Sequence, residues 1–321
     1  MKRITFLINI IAIALIFINC TNKRPEEKSD NKQLIIFHAG SLSVPFKQMK
    51  KQFEKENPGT EILLEAAGSV KCARKIIDLK KECDIMLSAD YTIIDKMLIP
   101  EYAEWNIQFA TNEMCIVYHD ESKYSNQINS ENWYEILLKD DVIFGRSDPN
   151  SDPCGYRAIL TTQLAEDYYN YPGLTEKIRN KNQEYIRPKE VDLLALLESN
   201  TIDYIFLYRS VAKQHQLKYL ILPDSINLKT PKLNSYYKTT STDILGKEPG
   251  TTITQHGQAM VYGLTILKNA PNKELAIKFI DFVLSEDGGR KILEENGQPA
   301  IILTESIYHN KIPAQLNKYF N

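Results

Sequence analysis

The sequence predicts an α/β protein built as two lobes, and three observations carry that prediction. Apolar runs of strand length alternate with helical patterns, which argues for parallel strands joined by helices. The alternation occurs twice, separated by strand-like stretches placed to carry the chain to a second lobe and back. The length of 321 residues suits about two domains of ordinary size. Two α/β lobes with mixed, mainly parallel sheets, joined by two crossing segments, make a clamshell whose cleft lies at the carboxyl ends of the strands.

Each element has its own signal. Leu34 to Phe37 is a continuous apolar run, followed by His38-Ala39-Gly40-Ser41 and a helical pattern through Phe46, Met49 and Phe53 that ends at Asn57-Pro58-Gly59. A strand from Glu61 to Ala66 leads through Ala67-Gly68-Ser69 into a helix near Cys72 to Leu79, and Cys83 to Leu87 reads as a third strand. A helix over 92–98 stops at Pro100, and the alternation from Trp105 to Tyr118 marks the first crossing. In the second lobe, Val142 to Phe144 is a strand, Arg146 to Asp152 a polar loop, and Tyr156 to Tyr169 a helix. A helix starts near Pro188, with Glu190, Val191, Leu193, Leu194 and Leu197 at helical spacing and Asn200 closing it. Asp203 to Tyr208 is the next strand, 223–252 reads as irregular, and Ala259 to Ile266 is the returning strand. Helices over 272–284 and 287–295 then pack back onto the first lobe. The expected division is therefore 33–110 with 260–321 as lobe 1 and 111–259 as lobe 2.

Hydrophobic residues make up 43% and charged residues 25%, with 13 Gly and 14 Pro, which excludes disordered and collagenous chains. The formal charge of -2 leaves no overall basic surface to attract nucleic acid. The amino terminus differs from the rest: Met1-Lys2-Arg3 precedes a mostly apolar run from Ile4 to Ile18, then Asn19-Cys20 and a charged stretch. That order is a signal-peptide pattern, because the run is shorter than the roughly 20 residues a spanning helix needs. Residues 1–19 are expected to be removed, Cys20 to be acylated as in bacterial lipoproteins, and 20–32 to form a solvated tether; an uncleaved interfacial anchor is the other reading. An exported body meets oxidising surroundings, and of the three pairings open to Cys72, Cys83, Cys115 and Cys154, a 72–83 bridge is expected.

The chemistry concentrates at strand ends. Gly40-Ser41 and Gly68-Ser69 each follow an apolar strand and open a helix, presenting N–H groups, a hydroxyl and a helix dipole, which together hold oxyanions. An ordinary serine N-cap is the alternative for each. The loop Ser147-Asp148-Pro149-Asn150-Ser151-Asp152-Pro153-Cys154-Gly155 precedes a third helix start. There Asp152 is either a cap acceptor or a ligand group, and Glu190, also at a helix start, either compensates the dipole or faces the site. Tyr208 ends a strand and either donates a hydroxyl or N–H to a ligand or packs as a strand aromatic. The five histidines lack metal-ligand spacing, and no HExxH, GxSxG, CxxC or P-loop occurs. His38 lies near Ser41 without a placed acid partner, so a Ser41-dependent hydrolase is a competing reading, as is an interaction protein with an empty cleft. The Lys47 to Lys55 run is spaced as a solvated helix face.

His38-Ala39-Gly40-Ser41-Leu42, Ala67-Gly68-Ser69-Val70-Lys71-Cys72-Ala73-Arg74, Ser88-Ala89-Asp90-Tyr91, and Asp152-Pro153-Cys154-Gly155-Tyr156-Arg157 occur in order. Arg187-Pro188-Lys189-Glu190, Tyr208-Arg209-Ser210-Val211-Ala212 and Val261-Tyr262-Gly263-Leu264-Thr265 continue the series. Together they resemble the tungstate/molybdate-binding lipoprotein subfamily of transporter substrate-binding proteins, over roughly residues 34–302. The resemblance implies a type II periplasmic-binding fold, capture of tungstate or molybdate, and delivery to an ABC permease and ATPase complex by a monomeric, membrane-tethered protein without turnover or cofactor. It implies six oxygen ligands at the metal centre, four oxo groups and the carboxylates of Asp152 and Glu190. Gly40, Ser41, Ser69, the backbone of Asp152, Pro153 and Cys154, and Tyr208 would hold the oxo groups. Those carboxylates argue against a sulfate, thiosulfate or phosphate receptor, because they would repel the oxygens of an anion whose centre does not expand its coordination.

Overall fold

The computed structural model describes residues 32–301 and 307–320. The expected signal peptide, the expected acylation site at Cys20 and almost all of the expected tether lie outside the described residues. Strand β1 (Lys32–His38) runs into a short 3₁₀ turn, Gly40–Leu42, and the helix Ser43–Glu56. That helix buries Phe46, Met49 and Phe53 and leaves Lys47, Lys51 and Lys55 in solvent, as its spacing predicts. After β2 (Thr60–Ala66) comes the helix Ser69–Ile77, then β3 (Ile85–Ser88) and β4 (Ile107–Thr111). Strand β5 (Met114–Tyr118) follows at once, but in another sheet, so Asn112 and Glu113 form the passage expected between Trp105 and Tyr118.

The second sheet continues with β6 (Phe144–Ser147), the helix Pro153–Tyr168, β7 (Ile186–Arg187), β8 (Tyr204–Tyr208) and β9 (Lys218–Ile221). Strand β6 lies later in the sequence than expected, so Arg146 is a buried strand residue rather than a loop residue. Its guanidinium donates to the carbonyls of Arg179 and Lys181, at the end of the helix Leu174–Asn180, where unsatisfied carbonyls collect. The segment 223–252, expected to be irregular, contains strand β10 (Ser241–Leu245), which pairs antiparallel with β11 (Thr252–His256). The hairpin is polar and alternates only weakly, so it lacks the apolar face by which strands are read. Strand β12 (Val261–Ile266) returns to the first sheet, and the helix Lys273–Leu284 packs Phe279 against Phe46 and Phe53.

The two five-stranded sheets have the orders β2-β1-β3-β12-β4 and β7-β6-β8-β5-β9. Both are mixed and mainly parallel, as expected: β12 runs against β1, β3 and β4, and β5 runs against β6, β7, β8 and β9. β1 with β3, β6 with β7 and β6 with β8 are parallel, whereas β12 is antiparallel to β3 and β4, and β5 to β8 and β9. The reason is geometric: a strand that enters from the other lobe arrives at the cleft end of its sheet and runs the opposite way. Residues 33–321 form one unit.

One expectation is overturned. Cys72, Cys83, Cys115 and Cys154 are free thiols, all buried. Cys72 and Cys83 sit in the core of the first lobe with their sulfurs against the carbonyls of His38 and Ile85, where they pack as small apolar side chains. Burial pushes the Cys72 thiol up to about 12 and the Cys83 thiol higher still.

Candidate functional site

The chain folds so that the loops after β1 and β2 meet the loops after β6 and β7. Gly40 and Glu190 come together closely enough that a side chain at Gly40 would place its first carbon 2.9 Å from Glu190 Oε2. Gly68 is tighter still, since a Cβ there would lie 2.1 Å from the carbonyl oxygen of Ser151. Only glycine permits either approach, which gives both residues a role the cap reading does not supply. The Lys71 N–H donates across the same junction to Ser151 O at 3.2 Å.

Asp152 and Glu190 are adjacent and fully enclosed, 1% and 0% exposed. Asp152 is the N-cap of the helix Pro153–Tyr168: its Oδ1 accepts from Cys154 N at 3.1 Å. Its Oδ2 accepts from Glu190 N at 2.8 Å, so one carboxylate ties two segments of the lobe. Neither oxygen of Glu190 makes a hydrogen bond of ordinary geometry, although the Ser41 amide lies near enough to favour the charge. Burial, and then the like charge of Asp152, hold the Glu190 carboxyl well above its usual range; burial also raises Asp152.

The structure gathers the other expected residues around this pair. Ser41 Oγ accepts from Tyr262 OH at 3.0 Å, and Ser69 Oγ accepts from Ala89 N at 2.9 Å. Tyr208 is wholly buried, its hydroxyl accepting from Arg157 Nη1 at 3.0 Å. In the Asp152 to Cys154 backbone, Asp152 N donates to Asp148 O, Pro153 has no N–H, and Cys154 N serves the cap. That segment spends its donors holding Asp152. His38 sets Nδ1 on its neighbour's carbonyl, Ala39 O, at 2.8 Å and stacks its ring on Phe46; burial lowers its pKa to about 4.

Sequence reasoning missed a second set of residues that joins the lobes. Asp90, after β3, receives Tyr156 OH on Oδ2 at 2.6 Å and pairs with Arg157 Nη2 at 3.4 Å. Arg157 also donates to Ala89 O at 2.8 Å. Its signal was present, since a charged residue in the second turn of an apolar helix needs a buried partner. Among the described residues no group of three or more His, Cys, Asp or Glu could hold a metal ion, and no helix is long and apolar enough to cross a membrane.

Comparison with known proteins agrees with this architecture. Residues 34–298 match a family model described as bacterial extracellular solute-binding protein. An uncharacterised solute-binding protein of Petrotoga mobilis is 53% identical over 288 residues, 89% of either chain. The molybdate/tungstate-binding protein of Pyrococcus abyssi is 41% identical over 334 residues, 95% of either chain. Among solved structures, the periplasmic molybdate-binding protein of Azotobacter vinelandii aligns with a TM-score of 0.61 at 16% identity, covering 83% of this chain and 98% of its own. The sulfate-binding protein of Mycobacterium tuberculosis aligns with the same TM-score at 12% identity, over 90% and 92% of the chains, so the fold alone leaves the anion open.

Proposed function

Because the chain belongs to the bacterial extracellular solute-binding protein family, we propose that it captures tungstate or molybdate between its lobes for delivery to an ABC permease. The observation that carries this reading is the buried pair Asp152 and Glu190. Two carboxylates enclosed together, one without hydrogen bonds, form a costly arrangement for a folded protein to keep. Its cost is offset when an electron-poor centre accepts both. Tungsten and molybdenum in their oxyanions can extend four oxo ligands to six, and the two carboxylates supply the added pair. Sulfur in sulfate does not readily do so, and the same carboxylates then repel its oxygens.

The chain's residues divide the task. Asp152 and Glu190 face the metal centre, held by the Cys154 and Glu190 amides acting on Asp152. Gly40 allows the Glu190 carboxylate close to the first lobe, and Ser41, Ser69 and Tyr208 offer hydroxyl protons to oxo groups. Binding draws on both lobes, so the anion favours the closed arrangement by binding it more tightly than an open one. The protein acts as a receptor without turnover, exported and tethered through acylated Cys20.

Glu190→Gln and Asp152→Asn test the reading. Each is expected to weaken tungstate binding by about a hundredfold or more, the scale of losing an ionic partner in a buried site. Glu190→Gln is also expected to raise the unfolding temperature of the ligand-free protein at neutral pH, since it removes the cost of keeping a buried carboxyl protonated there. Unchanged affinity in both variants would make the carboxylates structural and the proposal wrong.

A further inference from the structure

The hydrogen bonds behind Ser41 have a fixed direction. Asn112 lies in the passage between β4 and β5, and its Oδ1 accepts the backbone N–H groups of Glu113 at 3.0 Å and Ser210 at 3.3 Å. Those bonds fix which end of the amide is oxygen, so the other end, Nδ2, donates to Ser210 Oγ at 2.7 Å and to Tyr262 OH at 2.8 Å. The Gln298 amide donates to Ser41 O at 3.1 Å and holds the backbone of the same residue. With its oxygen occupied by the Asn112 donor, Tyr262 sends its own proton to Ser41 Oγ at 3.0 Å. Ser41 thereby receives a bond from its protein partner and keeps its proton for whatever stands in the cleft. Tyr262, Asn112, Ser41 and Gln298 are all buried, so water does not reset the order.

We propose that Asn112 and Tyr262 are positioning residues that fix the direction of the Ser41 hydroxyl, making Ser41 a donor toward a fully deprotonated tetrahedral oxyanion. Ser69 is set the same way, because the Ala89 N–H occupies its oxygen at 2.9 Å. The inference rests on the reading above that Ser41 touches the anion. It also links the site to the passage between lobes, since the same amide that orders Ser41 holds the chain where it changes sheets.

Asn112→Asp separates a directional role from a packing role. The introduced carboxylate accepts where the amide donated, so Tyr262 turns its proton to that carboxylate, Ser41 donates to Tyr262, and a lone pair faces the anion. In tungstate titrations of the full chain, Ser41→Ala is expected to bind about tenfold more weakly, and Tyr262→Phe a few-fold. Asn112→Asp is expected to be weaker than either. Adding Tyr262→Phe to Asn112→Asp cuts the wire and is expected to recover binding to near the Tyr262→Phe level, although the added charge remains. No recovery in the double variant, or Asn112→Asp no weaker than Tyr262→Phe, overturns the inference. Should Asn112→Asp fail to fold, Tyr262→Phe is measured in the Ser41→Ala background, where it is expected to cost nothing further; an equal loss in both backgrounds overturns it. Wild-type affinity in Ser41→Ala would instead refute the placement of Ser41 at the anion.

Discussion

Under the proposed function, Asp152 and Glu190 make opposite demands before and after an anion arrives. In the ligand-free protein burial raises both carboxyls, so the folded state holds protons that the unfolded chain would release. Its stability is therefore fullest below the ordinary carboxyl values and falls as pH climbs from those to the raised ones, where the loss is complete. A metal centre needs the ionised carboxylates, which reverses the preference. Tungstate affinity is expected to increase with pH above 4.5, the ordinary glutamic acid value, until the pair is ionised. Calorimetry in buffers of different ionisation enthalpy is expected to record proton release on binding; proton uptake would contradict the assigned role. The sequence exposes these two residues only through helix starts and resemblance. Asp152 is in fact the N-cap that its position suggests, and nothing in its spacing foretells that its second oxygen holds the Glu190 amide.

The helix Pro153–Tyr168 joins the lobes through its first two turns. Tyr156 and Arg157 reach the Ala89-Asp90 corner after β3, and Asp90 Oδ1 meanwhile accepts from Thr92 N at 2.9 Å, capping the next helix. Its carboxylate is thus shared between local structure and lobe closure. Tyr156→Phe removes one bond to a buried charge and is expected to cost the closed form about 2 kcal/mol. Stopped-flow displacement is expected to show faster tungstate release with a nearly unchanged association rate. An unchanged release rate would mean the corner contributes nothing to holding the anion. Elements with a clear apolar pattern are legible in the sequence: the helix Ser43–Glu56, the crossing that turns at Asn112 and Glu113, and the returning strand β12. Those whose stability comes from distant groups are not. β6 escapes its true bounds because Gly145, Arg146 and Ser147 look like loop residues until the carbonyls that receive Arg146 are in view.

The clamshell is held at more places than its two crossings. The β10-β11 hairpin, unread in the sequence, contacts both sides. Lys96 Nζ donates to Gln255 Oε1 at 2.7 Å and Arg74 Nη2 to Gly246 O at 2.7 Å, while Leu245 N donates to Asn150 Oδ1 at 2.9 Å and Gln163 Nε2 to Ser241 O at 3.0 Å. The first two partners belong to the segment before the passage at Asn112 and Glu113, the last two to the segment after it. Contacts between the segments are therefore distributed over the carboxylate junction, the Asp90 corner and this hairpin, and under the proposed reading an anion that engages Glu190 adds to them. The measurement that bears most directly on this account is a calorimetric titration of residues 21–321 with tungstate, molybdate and sulfate in one buffer. Tight one-to-one binding of the first two, with no heat from sulfate, is the predicted result; sulfate bound as tightly as tungstate would contradict it, because the buried carboxylates would then select nothing.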